Sequence, residues 1–128
     1  MENKNILVIE DNKLNMKLMR GVLRLGDYQL IEAFDAETGI QLARKQKPFL
    51  ILMDIQLPGM DGLEATRIMK TDSKLKDIPV VAITGFAMQG DREKALESGC
   101  DDYITKPFDV EDLLKTIKGY YDRKETPN

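Results

Sequence analysis

Glu10-Asp11, Asp54, Thr84 and Lys106-Pro107 each follow directly on an apolar run. The runs are Ile6-Leu7-Val8-Ile9, Phe49-Leu50-Ile51-Leu52-Met53, Val80-Val81-Ala82-Ile83 and the weaker Asp102-Tyr103-Ile104-Thr105. Polar groups at the ends of buried segments sit where a ligand can reach them. Carboxylates brought together cannot all stay charged at neutral pH; either a pKa rises or a cation binds. Oxygen ligands without imidazole or thiolate select Mg2+, Mn2+ or Ca2+. Mg2+ suits a site with few carboxylates best, because it keeps several waters and favours phosphate oxygens. Lys106 adds a fixed positive charge for an anion, and Thr84 adds a hydroxyl donor. Asp is a competent nucleophile towards phosphorus and gives an acyl phosphate. Phosphoryl transfer needs mainly positioning and charge neutralisation, which such residues supply together.

What is missing narrows the chemistry further. The chain has no histidine, which excludes a Ser–His–Asp triad, a Cys–His pair and any His-ligated metal. Cys100 is the sole cysteine, so neither an internal disulfide nor a multi-Cys zinc site exists. Cys100 itself reads as a small buried residue. The net charge of −3 argues against direct nucleic-acid binding. No apolar run approaches the roughly 18 residues of a membrane span. The first residues, Met1-Glu2-Asn3-Lys4-Asn5, lack the apolar region of a signal peptide. A cytoplasmic location is the expectation.

The elements that must position these side chains follow from periodicity. Continuous apolar runs of four or five residues predict strands buried on both faces. Gln29-Leu30-Ile31-Glu32-Ala33 is a further, weaker strand candidate. Helical patterns fill the gaps. Leu14, Leu18, Val22 and Leu25, flanked by Met19 and Leu23, predict one inward stripe of a first helix. Asp35 caps a second, running to about Lys45, with Ile40 and Ala43 inward. Asp61-Gly62-Leu63-Glu64 has the form of a capping box and opens a third helix towards Lys70. Residues 90–98 form a short fourth, closed by Gly99. Asp109 caps a fifth, with Val110, Leu113, Leu114, Ile117 and Tyr121 inward. Lys74-Leu75-Lys76-Asp77 reads as a solvated turn, and the tail after Tyr121 as fraying.

Five β-α repeats mean a parallel sheet covered by helices on both faces. The expected fold is flavodoxin-like and doubly wound, with strand order 2-1-3-4-5. Its ligands bind outside the carboxyl ends of the strands, at the switch point. Glu10, Asp11 and Asp54 should converge there. One domain spans residues 1–128, with a core of about 5–121 and a polar tail over 122–128.

The chain now resembles the receiver domains of two-component response regulators. Val8-Ile9-Glu10-Asp11-Asn12 looks like the acidic-pair motif. Residues 53–62, from Met53-Asp54 to Asp61-Gly62, look like the phosphoacceptor loop. Ile83-Thr84-Gly85 looks like the switch-Thr motif, and residues 99–108 look like the fifth-strand motif with its Lys106-Pro107. The resemblance implies that Asp54 is phosphorylated. It implies that Asp11, Asp54 and the backbone carbonyl of Gln56 ligate Mg2+, with Mn2+ as a substitute, and that Glu10 reaches the metal through water. Lys106 would pair with the phosphoryl group, Thr84 would move towards it, and Tyr103 would swing inward behind Thr84. The family holds the Lys–Pro bond in cis. Gly85 stands where the family more often has Ala, and it is expected to loosen that loop. Gln56 and Phe86 would tune water attack on the acyl phosphate, with Phe86 shielding it.

The implied donor is a histidine kinase or a histidine phosphotransfer protein, met by the first helix and the βα loops. The implied readout is binding of a downstream protein on the surface of helix 4, strand 5 and helix 5. Such a chain is a switch rather than an enzyme, catalysing only its own phosphorylation and dephosphorylation. Plainer readings stand beside these. Glu10-Asp11 alone also suits a helix entry, and Tyr103 suits a merely half-buried residue. Met53 and Met69 read as core. Met60 and Met88 read as either shielding or partner contact. Asp61, Asp101 and Asp102 read as caps and turns. Three other readings compete: a receiver excised from a hybrid histidine kinase, a haloacid-dehalogenase-like phosphatase, and a flavodoxin-like cofactor binder. The phosphatase carries Asp-x-Asp after its first strand and the binder needs a phosphate-cradling loop there, where this chain has Glu10-Asp11. Met1 directly before the first strand favours a natural single-domain protein.

Overall fold

Each apolar run becomes a parallel strand: β1 (Asn5–Ile9), β2 (Gln29–Ala33), β3 (Leu50–Asp54), β4 (Val80–Thr84) and β5 (Asp102–Thr105). Between and after them lie α1 (Lys13–Leu25), α2 (Ala36–Gln46), α3 (Gly62–Thr71), α4 (Asp91–Glu97) and α5 (Val110–Glu125). The computed structural model describes residues 3–85 and 90–125, with side chains as far as Arg123. Phe86 and Met88, singled out in the sequence, lie outside the described residues. The strand order is β2-β1-β3-β4-β5, as the β-α alternation requires. The register sets Ile9 opposite Met53, Asp54 opposite Ile83, and Thr84 opposite Thr105.

Alternation along the strands builds two cores. Leu7, Ile9, Ile51, Met53 and Ala82 face α2, α3 and α4, meeting Ile40, Ala43, Ala65, Met69 and Ala95. Ile6, Val8, Leu50, Leu52, Val81 and Ile83 face α1 and α5, meeting Met16, Met19, Leu23, Leu113 and Ile117. Burying each such large side chain is worth on the order of 1.5–3 kcal/mol. The caps fall where the sequence puts them. Asp35 Oδ1 accepts from the Thr38 N–H at 2.7 Å, and Asp61 Oδ1 from the Glu64 N–H at 2.8 Å. Asp109 Oδ1 accepts from the Asp112 N–H at 3.2 Å. Gly99 takes the left-handed conformation after α4, with φ +107°.

Three expectations need correction. The stripe of α1 faces inward only in part. Leu14, Leu18 and Leu25 are 77%, 52% and 75% exposed, while Met16, Met19, Val22 and Leu23 are buried. The apolar arc of α1 is wider than the sheet can cover, and the sheet takes its Met16 side. Leu75 is not in a solvated turn. It is buried against the α3 core, and the turns around it are closed by backbone bonds such as Leu75 N–H to Asp72 O at 3.0 Å. Finally, α5 continues through Glu125. Phe49 holds the ring of Tyr121 edge-on at 5.3 Å, and the Arg123 guanidinium lies 4.9 Å over the Tyr120 ring, so this end is anchored.

Candidate phosphoryl site at the carboxyl edge of the sheet

The register that fixes the sheet also fixes the site. Ile9 lies beside Met53, so the next residue, Glu10, stands level with Asp54 at the end of β3. The Glu10 N–H donates to Ala33 O at 3.0 Å, which locks the end of β1. Asn12 then starts α1, its Oδ1 accepting from the Asn15 N–H at 3.0 Å. On the far side, the Lys106 N–H donates to Thr84 O at 2.7 Å, and the Lys106–Pro107 peptide is cis. Thr84 is fully buried at the end of β4.

Glu10, Asp11 and Asp54 each offer a carboxylate oxygen, all within 4.8 Å of one another. Glu10 is buried, Asp54 half-buried and Asp11 exposed. The Lys106 Nζ donates to Glu10 Oε1 at 2.8 Å, and the Asn12 N–H donates to Glu10 Oε2 at 3.2 Å. Asp54 Oδ1 accepts from the Gln56 N–H at 2.9 Å. An apolar cavity of about 510 Å3 opens beside these groups, its walls including Val8, Met19, Ile83 and Phe108.

That apolar wall shapes the electrostatics. Burial pushes the Asp54 carboxyl up to about 6, helped by the neighbouring Glu10 and opposed by the Gln56 N–H. Burial acts to raise Glu10 as well, but Lys106 and the Asn12 N–H outweigh it and hold its carboxyl below the usual range. A raised carboxyl beside an ionised one is the signature of a cluster short of positive charge. The donor set is all oxygen, so a hard divalent cation fits it. Gln56 lies in the loop directly after Asp54, on the same edge as these carboxylates.

Two features of the site were not foreseen. The ion pair between Lys106 and Glu10 spans the sheet edge; its signal is the longer reach of Glu over Asp. Gly62 is the other. A Cβ there would lie 2.6 Å from both Asp54 O and Ile55 Cα, so α3 packs directly on the backbone that carries Asp54. The Tyr103 ring is turned inward, and among the described residues its buried hydroxyl has no hydrogen-bond partner. Asp101, expected as a turn residue, instead ties two elements together. Its Oδ2 accepts from the Val80 N–H and from Lys70 Nζ, both at 2.8 Å. Met60 packs against the core beside α3, and Cys100 is buried.

Comparison with known proteins agrees with this edge. The family model of the response regulator receiver domain matches residues 6–118. The polar-differentiation response regulator DivK of Brucella anthropi is 46% identical over 117 residues, covering 91% of this chain and 95% of that protein. DivK of Brucella ovis gives the same figures. Among solved structures, the receiver domain of a Pseudomonas aeruginosa sensor histidine kinase, with magnesium coordinated in its active-site cleft, is 33% identical. It has a TM-score of 0.87 and covers 94% of this chain and 98% of that one. A CheY-like receiver domain from Methanospirillum hungatei is 28% identical, with a TM-score of 0.87 and coverage of 97% and 98%. Among the described residues, no helix is long and apolar enough to cross a membrane. With the family pattern running from β1 into α5, the chain belongs to the response regulator receiver domains, the signalling switches of two-component systems.

Proposed function

We propose that this chain accepts a phosphoryl group on Asp54 from a phosphohistidine of a donor protein, in a Mg2+-dependent reaction. The observation that carries the reading is the convergence of Glu10, Asp11 and Asp54 within 4.8 Å, with Lys106 at the same edge. An Asp54 carboxylate oxygen attacks phosphorus, the P–N bond breaks, and the imidazole leaves with the electron pair and takes up a proton. The products are an aspartyl phosphate and a neutral histidine. Asp11, Asp54 and the Gln56 carbonyl would hold the metal, with Glu10 adding its charge beside them. Bound there, Mg2+ supplies charge neutralisation of the phosphoryl oxygens. Lys106 supplies the same from the protein.

The exposed leucines of α1 support a docking role for that helix in the same transfer. Leu14, Leu18 and Leu25 form a contiguous apolar strip with Val110, and Leu18 also lines the cavity beside Asp54. A strip of this kind marks an interaction surface. It fits a histidine kinase or histidine phosphotransfer protein whose phosphohistidine must reach Asp54. After transfer, the Thr84 hydroxyl moves to the phosphoryl oxygens, beside a Tyr103 ring that is already inward, altering the surface of α4, β5 and α5 for a downstream protein. The whole chain acts as one receiver unit, in the cytoplasm with its donor.

The test is label transfer from a phosphorylated histidine phosphotransfer protein. The wild type takes up label that hydroxylamine releases, and Asp54→Asn takes up none. Retained label in Asp54→Asn overturns the assignment.

A further inference from the structure

We infer that Glu10 is a positioning residue for Lys106: it holds the ammonium away from Asp54 until a divalent cation enters, so that metal occupancy and the availability of Lys106 are coupled. The inference rests on the metal and phosphoryl roles proposed above. It starts from how completely Glu10 is satisfied by the protein alone. One oxygen accepts from Lys106 Nζ at 2.8 Å and the other from the Asn12 N–H at 3.2 Å. The Glu10 side chain is 5% exposed and that of Lys106 is 23% exposed, so this pair is sheltered from screening. Asp54 feels the Lys106 charge and shares a hydrogen bond with Glu10, but it does not pair directly with the ammonium. Its described hydrogen bond to the protein backbone comes from Gln56, and among the described residues no ion pair joins it to Lys106.

The same carboxylate cannot fully neutralise two cations. A dication among Glu10, Asp11 and Asp54 draws on the Glu10 charge and repels the ammonium beside it. Lys106 has somewhere to go. Its backbone is pinned to Thr84 O, but its stem runs past Gly85, where a Cβ would be only in ordinary contact at 4.0 Å, and it borders the 510 Å3 cavity. The hold also depends on the length of Glu. An Asp at this position is shorter by one C–C bond, roughly 1.5 Å. It can still accept from the Asn12 N–H, as Asp54 does from Gln56, but it falls short of Lys106 Nζ where Glu10 meets it at 2.8 Å. On this reading Glu10 acts as a latch that charge opens, and the metal must bind before Lys106 is free for the phosphoryl group.

A double-mutant cycle on Mg2+ affinity, read by titration calorimetry, tests this. The chains are wild type, Lys106→Met, Glu10→Gln and the double variant, with Asp54→Asn as the control for the metal site. Removing a nearby positive charge tightens Mg2+ binding in any background. Release of a competitor for Glu10 tightens it further, and only where Glu10 is present. Lys106→Met should tighten Mg2+ at least tenfold in the wild type and less than threefold in the Glu10→Gln background. Glu10→Asp keeps the charge and shortens the reach, so its background should also give less than threefold. An independent readout is the ammonium 15N signal of Lys106. Slowed exchange should make it visible in the metal-free wild type, and it should vanish at saturating Mg2+ and in Glu10→Asp. That measurement needs only the wild type, so it stands even where a variant fails to fold. Equal tightening in all three backgrounds overturns the inference, as does an ammonium signal that survives saturating Mg2+. Mg2+ binding that is absent from the wild type, or unchanged by Asp54→Asn, overturns the metal reading and the inference with it.

Discussion

Replacing Asp54 by Asn should stabilise the metal-free protein, and more at neutral than at acid pH. Burial, with Glu10 beside it, moves the Asp54 carboxyl from an ordinary 3.8 up to about 6. The folded chain therefore holds a proton on Asp54 more tightly than the unfolded chain does. Between these two values the native state binds more protons, so stability falls as pH rises. The deficit is absent below about pH 4 and complete above about pH 7. A shift of about two pH units corresponds to roughly 3 kcal/mol. Solvent at the open side of the site screens part of this, leaving about 1–2 kcal/mol. Asn has the shape of Asp, and its carbonyl oxygen still accepts the Gln56 N–H held at 2.9 Å. For a domain of this size the gain is about 3–8 °C in Tm. Thermal melts followed by circular dichroism, in chelator at pH 4 and pH 7.5, measure it. Added Mg2+ should reverse the order, because it stabilises only the carboxylate form, by about 2.7 kcal/mol at a hundredfold excess over Kd. An Asn variant that is destabilised at pH 7.5, or that gains equally at both pH values, refutes the reasoning.

Three further substitutions probe separate parts of the structure. Gly62→Ala puts a Cβ 2.6 Å from Asp54 O and Ile55 Cα, both backbone atoms that cannot yield cheaply. It should cost about 1–3 kcal/mol in urea unfolding and slow labelling of Asp54 even by acetyl phosphate; an unchanged labelling rate would show that α3 does not set the loop. Lys70→Met removes the bonds from Nζ to Asp101 Oδ2 and Ile78 O, at 2.8 and 2.9 Å. It should cost about 1–3 kcal/mol, read as a lower urea midpoint, with no effect on labelling; an unshifted midpoint contradicts the staple. Leu14→Gln with Leu25→Gln should leave Tm within about 0.5 kcal/mol of wild type and acetyl phosphate labelling intact. Transfer from a phosphohistidine protein should slow at least tenfold, and an undiminished rate removes α1 from the donor contact.

The fold and the edge of the site were legible because they depend on local signals that agree. Runs such as Ile6–Ile9 and Val80–Ile83 are short, apolar and rich in β-branched residues, which favours doubly covered strands, and Asp35, Asp61 and Asp109 each cap the helix that follows. Once five strands alternate with helices, the topology alone carries Glu10, Asp54 and Lys106 to one edge. Contacts decided by side-chain reach were not legible. Nothing local joins Lys106 to Glu10, 96 residues away, or shows that Lys70 rather than a turn engages Asp101. Leu75 sits between lysines, and only the packing of α3 shows it to be core.

The misreading of α1 has a different origin, and it bears on function. At roughly 100° per residue, Leu14, Leu25, Leu18, Val22, Met19, Leu23 and Met16 follow one another around the helix over an arc of about 200°. A helix lying on a sheet buries a stripe of little more than about 100°. Periodicity therefore identifies the helix without saying which half of so wide an arc meets the sheet. In the half left in water, Leu18 lines the Asp54 cavity, and folding alone gives no reason to keep leucine on that side. Exposed leucines at 14, 18 and 25 are best explained by a surface that is covered only when another protein docks. If Asp54 is phosphorylated from a phosphohistidine, as proposed, that histidine belongs to another segment or protein, because this sequence has none.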